Sequence, residues 1–180
     1  MTRMKKYAVA VSVAAALVGT PTVAYAAAAP VEKTSEQHTS SIRVVAPGER
    51  VKAAPGVELW LTEEGKHWST RDGGENFRSV VDGNLDMSRP GISHQSESDG
   101  RHTFHSGVYY GTKDATRVTL TDKAGRTTTA ALVELPGKPG WGAWYVTTRA
   151  HTAGSHTITL HDNAGTVLAE LPGHDFSDAS

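Results

Sequence analysis

The 180-residue sequence contains no cysteine. That absence excludes a disulfide framework, a cysteine nucleophile, a thiolate metal site and a lipid-modified cysteine. Cohesion must therefore come from apolar burial, and about 150 residues are enough for one domain with its own core. An excess of positive charge is also missing, with 18 Lys+Arg against 19 Asp+Glu. No nucleic-acid partner is expected, since its footprint is a basic face. Beyond residue 26 no apolar stretch reaches the ~20 residues of a membrane span. Beyond residue 30 none keeps the helical period over roughly eleven residues. A phosphate-cradling Gly loop and a Gly-x-Ser-x-Gly elbow are both lacking.

What is present starts at the N-terminus. MTRMKK carries Arg3, Lys5 and Lys6, and YAVAVSVAAALVG follows without a charge. Pro21 ends the run, and Ala24-Tyr25-Ala26 places small residues where a signal peptidase reads. Residues 1–26 thus read as a secretory signal peptide, removed after Ala26. The mature chain, 27–180, keeps 15 Lys+Arg against 19 Asp+Glu and so a mildly acidic surface. Residues 27–41 (AAAPVEKTSEQHTSS) read as a flexible leader, 42–175 as the folded domain and 176–180 as a polar tail. The expected location is extracellular, with no membrane span in the mature chain.

From Ile42 onward short alternating runs are separated by Gly and Asp-Gly, the pattern of an all-β domain. Strands are expected at 42–46, 49–53, 57–62, 66–70, 76–81, 101–110, 116–121, 126–135, 142–148, 156–161 and 165–171. In VELWLT, Val57, Leu59 and Leu61 share one face, and Glu58, Trp60 and Thr62 the other. Residues 82–100 (DGNLDMSRPGISHQSESDG) read as one long irregular loop, and such loops are often functional. The expected fold is a single β-sandwich, immunoglobulin-like or similar.

Two phrases recur. VTLTDKAG (118–125) is echoed by ITLHDNAG (158–165), and LVELPG (132–137) by LAELPG (168–173). In each of the first pair a half-buried strand runs into Asp, two residues, then Gly. Asp accepts local backbone hydrogen bonds and Gly takes a positive φ, so both copies read as hairpin turns rather than ligand loops. Two copies are too few for a solenoid or propeller.

Several residues could carry chemistry. Trp60, Trp68, Trp141 and Trp144 could form an aromatic platform for a sugar or a protein, the alternative being that they fill the core. Asp82, Asn84 and Asp86 match the first three oxygen ligands of a calcium loop, making calcium the only cofactor the pattern suggests. Met87 and Ser93 then stand where that loop needs Gly and a bidentate Glu, so the match is incomplete. Nine histidines are many, but His102 and His105 fall on opposite faces of a strand. No spacing gathers the three or four ligands of a zinc site, and outward-facing strand histidines are expected.

GVELWLTEEGKHWSTRDGGENFRSVVDGN, SGVYYGTKDATRVTL and LPGKPGWGAWYV resemble uncharacterised secreted single-domain β proteins of actinobacteria, over roughly residues 50–170. The resemblance implies export and one β domain, and brings no activity or site residues. The function expected is a secreted, non-catalytic binding module acting at the cell wall, a polysaccharide or an extracellular protein. The alternatives are an extracellular hydrolase with its site near 82–105, or an inhibitor or ligand of an extracellular enzyme.

Overall fold

The computed structural model describes residues 42–150 and 155–173, all within one compact unit. The signal peptide, the leader and the polar tail expected from sequence lie outside the described residues. Among the described residues every regular element of the fold is a β-strand. They are β1 (Arg43–Val44), β2 (Val51–Ala54), β3 (Val57–Thr62), β4 (Gly65–Ser69), β5 (Glu75–Ser79), β6 (Gly91–Ile92) and β7 (Gln95–Ser98). Then follow β8 (His102–Tyr110), β9 (Arg117–Thr121), β10 (Thr127–Thr129), β11 (Ala131–Glu134), β12 (Trp141–Arg149), β13 (Thr157–His161) and β14 (Val167–Leu171).

These strands build three sheets. A meander, β2-β3-β4-β5, forms the first. A six-stranded sheet, β1-β11-β12-β8-β6 with β7 also on β8, forms the second, and β10-β9-β13-β14 the third. The second sheet is apolar on both faces. Val108, Val133, Trp141 and Ala143 pack with Val51, Leu59 and Leu61 of the meander. Their strand neighbours Tyr109, Leu132 and Trp144 pack with Val118, Leu120, Ile158 and Leu160 of the third sheet. Because successive side chains alternate in a strand, this sheet joins a core on either side and lies between the other two. The chain is all-β as expected, with its strands in three sheets. Near-continuous burial of β8 marks the two-faced position, as it does in any strand covered on both sides.

Two expectations about the strands need correction. The 82–100 stretch holds β6 and β7, which keep a single register along β8 (Ile92 opposite Tyr109, Gln95 opposite Ser106). Ser93 N–H donates to Val108 O at 2.8 Å between them, so 91–98 is an edge of the central sheet. The run 126–135 is broken at buried Ala130. Before it β10 pairs with β9 in the third sheet; after it β11 pairs with β12 in the central one.

The repeat is resolved as folding grammar. β9 and β13 are antiparallel neighbours, with Thr119 opposite Thr159, Val118 opposite Leu160 and Leu120 opposite Ile158. Equivalent residues thus exchange places about a local twofold centred on the two threonines. Each copy turns identically: Gly125 N–H donates to Asp122 O, and Gly165 N–H to Asp162 O, with φ of 77° and 84° at the glycines. The closing phrases diverge. LVELPG enters the central sheet through β11, whereas LAELPG stays in the third as β14.

Candidate functional site

The sequence-predicted residues come first. Trp60, Trp68, Trp141 and Trp144 are only 8, 7, 5 and 0 % exposed. The platform expectation is corrected, because the rings are covered by what the strands bring against them. Trp141 and Trp144 belong to the two cores. Trp68 lies under the Lys66 ammonium, 4.0 Å from its ring centroid, and donates to Glu97 Oε1 at 2.5 Å. Trp60 is on the outer face of the meander, as its alternation requires, but the Arg50 guanidinium covers it at 3.9 Å and His67 stacks beside it. The calcium trio is occupied locally. Asp82 accepts from Asn84 N and Asn84 Nδ2, while Asp86 accepts from Ser88 N and Ser88 Oγ and pairs with Arg89. Among the described residues no group of three or more His, Cys, Asp or Glu is disposed to hold a metal ion.

The structure opens a different site. Where edge strand β5 of the meander and edge strand β7 of the central sheet come together, an open cleft of about 480 Å³ is lined by Asn76 from the first and by Glu97 and Ser98 from the second. Val57 and Phe104 supply its apolar surface. Thr70, Arg71 and Asp72 reach it from the turn after β4, Asp99 from the turn before β8 and His102 from the first position of β8. These turns are tied together. Arg71 Nη1 bonds to Asp99 Oδ2, and Arg71 Nε donates to Pro55 O at 3.0 Å. Asp99 also accepts from His102 N and Arg101 N; those backbone bonds, then Arg71, hold its carboxyl far below the usual carboxylate range. The Thr70 hydroxyl, bonded to Asp72, lowers that carboxyl in the same way. The clamp between Arg71 and Asp99 therefore ties the two walls together and pairs those two charges, leaving the Asp72 and Glu97 carboxylates on the lining.

Behind the cleft the sheets meet on polar groups. Lys66, fully buried on β4, donates to Gln95 Oε1 at 2.9 Å and to Ser106 Oγ at 2.8 Å. Burial pushes its pKa down to about 7. On the opposite face of the central sheet, His94 Nε2 and His105 Nδ1 are 3.0 Å apart, His105 Nε2 meets Thr148 Oγ1 at 3.0 Å, and the His156 ring lies edge-on to His105. His105 and His156 are 3 and 8 % exposed, which corrects the expectation of outward-facing histidines.

A hydrolytic arrangement does not form in the cleft. Ser98 Oγ donates to the His102 backbone oxygen at 3.3 Å rather than engaging its ring. Ser106, which meets the Lys66 amine, is 1 % exposed and lies outside the cleft lining.

Sequence reasoning missed Lys66, Glu97 and the histidine stack. A signal for Lys66 was present: the Glu63-Glu64 loop sets Lys66 opposite Leu61, hence inward with it. The others depend on recognising 91–98 as part of a sheet. Comparison with protein-family models, curated proteins and solved structures finds no match to the chain.

Proposed function

We propose that the chain is an exported, non-catalytic binding module that takes an extracellular polysaccharide, such as a cell-wall glycan, in the cleft between β5 and β7. The observation that carries this reading is the preformed cleft itself. It sets hydrogen-bonding groups (Thr70, Asn76, Glu97, Ser98) beside apolar Phe104 and Val57, with the Arg71 and Asp99 charges already paired. A hydroxyl-rich ring with one apolar face is suited to such a surface, and the volume falls within the range of small-ligand clefts. The N-terminal pattern of cations, apolar run and Ala-x-Ala supports export.

The test is co-sedimentation of purified 27–180 with isolated cell wall and a panel of insoluble polysaccharides. Wild type is expected to pellet with at least one matrix. Asn76→Ala and His102→Ala should reduce pelleting, with circular dichroism unchanged, while Thr128→Ala on the third sheet should not. Failure to pellet with every matrix would remove the polysaccharide reading and direct attention to an extracellular protein partner.

A further inference from the structure

We propose that the Lys66 side chain and the Gln95 side chain become joined by an intramolecular amide bond, a covalent staple between the meander and the central sheet. The residues belong to facing sheets, Lys66 to β4 and Gln95 to β7. Their polar ends are already in contact, with Lys66 Nζ 2.9 Å from Gln95 Oε1. Ser106, opposite Gln95 in the β7–β8 register, holds the same nitrogen at 2.8 Å. The Trp68 ring covers the amine at 4.0 Å. Among the described residues no carboxylate forms an ion pair with Lys66, although it is completely buried. A desolvated lysine gives up its proton readily and then becomes a nucleophile. Burial brings this amine to a pKa of about 7, so a neutral fraction exists at neutral pH.

The chemistry balances without an oxidant or a co-reactant. A turn of the Gln95 terminal torsion, which is broad for an sp³–sp² bond, presents Cδ to the Lys66 nitrogen. The Nζ lone pair adds to Cδ. The proton shed by Nζ passes through the Glu97 carboxylate to Nε2. The Cδ–Nε2 bond then breaks, ammonia leaves, and an Nζ–Cδ amide remains. Glu97 is placed for the transfer: it lies two residues from Gln95 on the same face of β7, is anchored by Trp68 Nε1 at 2.5 Å, and acts electrostatically on Lys66. The product removes a buried cation and crosslinks a chain without cysteine. This inference stands apart from the polysaccharide reading.

High-resolution intact mass and peptide mapping of the purified protein test it, after the N-terminal residue has been fixed by sequencing. Wild type is expected to be lighter than its sequence by one ammonia and to yield a branched peptide joining the Lys66 and Gln95 fragments. Lys66→Arg and Gln95→Ala should have full sequence mass, and Glu97→Gln should accumulate the unlinked form. A wild-type chain of full mass, with Lys66 and Gln95 recovered in separate linear peptides, overturns the proposal. Loss of water instead of ammonia, or the same deficit in Gln95→Ala, also overturns it. The wild-type reading alone decides, so a variant that does not fold leaves the test intact.

Discussion

His94 and His105 stack with their ring centroids 5.3 Å apart and one nitrogen of each within hydrogen-bonding distance, at 3.0 Å. Only one proton can sit between those nitrogens, so the pair is built for neutral rings. Burial, then the neighbouring charges of His156 and Lys66, pushes His94 down to about 4. Burial, then His94 and His156, does the same to His105, also to about 4. Both folded values lie below the ~6.5 of an unfolded histidine. The unfolded chain therefore binds protons first as pH falls. The contribution is fully present above about pH 6.5 and is lost as pH drops through the folded value near 4. With coupling and partial exposure discounted, the loss is on the order of 3 kcal/mol. Thermal melts across this window should show a falling Tm, and His94→Gln should flatten the fall. An equally steep profile in the variant would locate the acid sensitivity elsewhere.

Gly107 is what permits this stack to meet Trp144. It lies opposite Trp144 in the β8–β12 register, and a Cβ there would come within 1.9 Å of Ser93 O and 2.5 Å of Trp144 Nε1. Ser93 O is also the acceptor of the indole N–H, at 3.1 Å. Gly107→Ala should destabilise the fold by about 3 kcal/mol, the upper part of the range for an overpacked core. Urea denaturation with tryptophan emission would read it. A change under about 0.5 kcal/mol would mean that the 91–98 edge moves aside at little cost.

The two hairpin turns offer a matched pair. Asp122 Oδ1 accepts from Ala124 N and Arg126 N, each at 2.9 Å, and Asp162 Oδ1 accepts from Thr166 N at 2.8 Å. The bonds from Arg126 N and Thr166 N lead the causes that lower the two carboxyl pKa values. Asp122→Ala and Asp162→Ala should each lower Tm by a few degrees. Because β9 and β13 are antiparallel, the turns sit at opposite ends of the third sheet, and the double variant should show the sum. Since the folded carboxyls hold their charge to lower pH, the difference from wild type should shrink as pH falls through the carboxylate range. A strongly non-additive double variant would mean that the turns are linked through the sheet.

Strand identity was legible wherever local alternation carried it. VELWLT placed Leu59 and Leu61 inward and Trp60 outward, and the Asp-x-x-Gly turns formed as read. What the sequence hid was long-range pairing. The strands in 91–98 exist because β8 offers them a partner, and their own text, with Pro90 before it, His94 and three serines, lacks the apolar run of an independent strand. Trp60 could be read as outward but not as covered, because Arg50 reaches it from the residue just ahead of β2. The cleft is assembled from the turn after β4 and the turn before β8, some thirty residues apart in sequence, and no local spacing announces it.

The crossing at Ala130 also imposes an order on assembly. The halves of the third sheet flank β12 in the chain: β9 and β10 precede it, β13 and β14 follow. The central pair, β8 and β12, matches residue for residue from Trp141–Tyr110 to Arg149–His102. A nascent chain leaving its site of synthesis can close the meander from neighbouring strands alone. It has to emit β13 before the first repeat meets the second, so β9 waits with an unpaired edge while the central pair forms. Loop closure of this span, rather than any local turn, then sets the pace of folding.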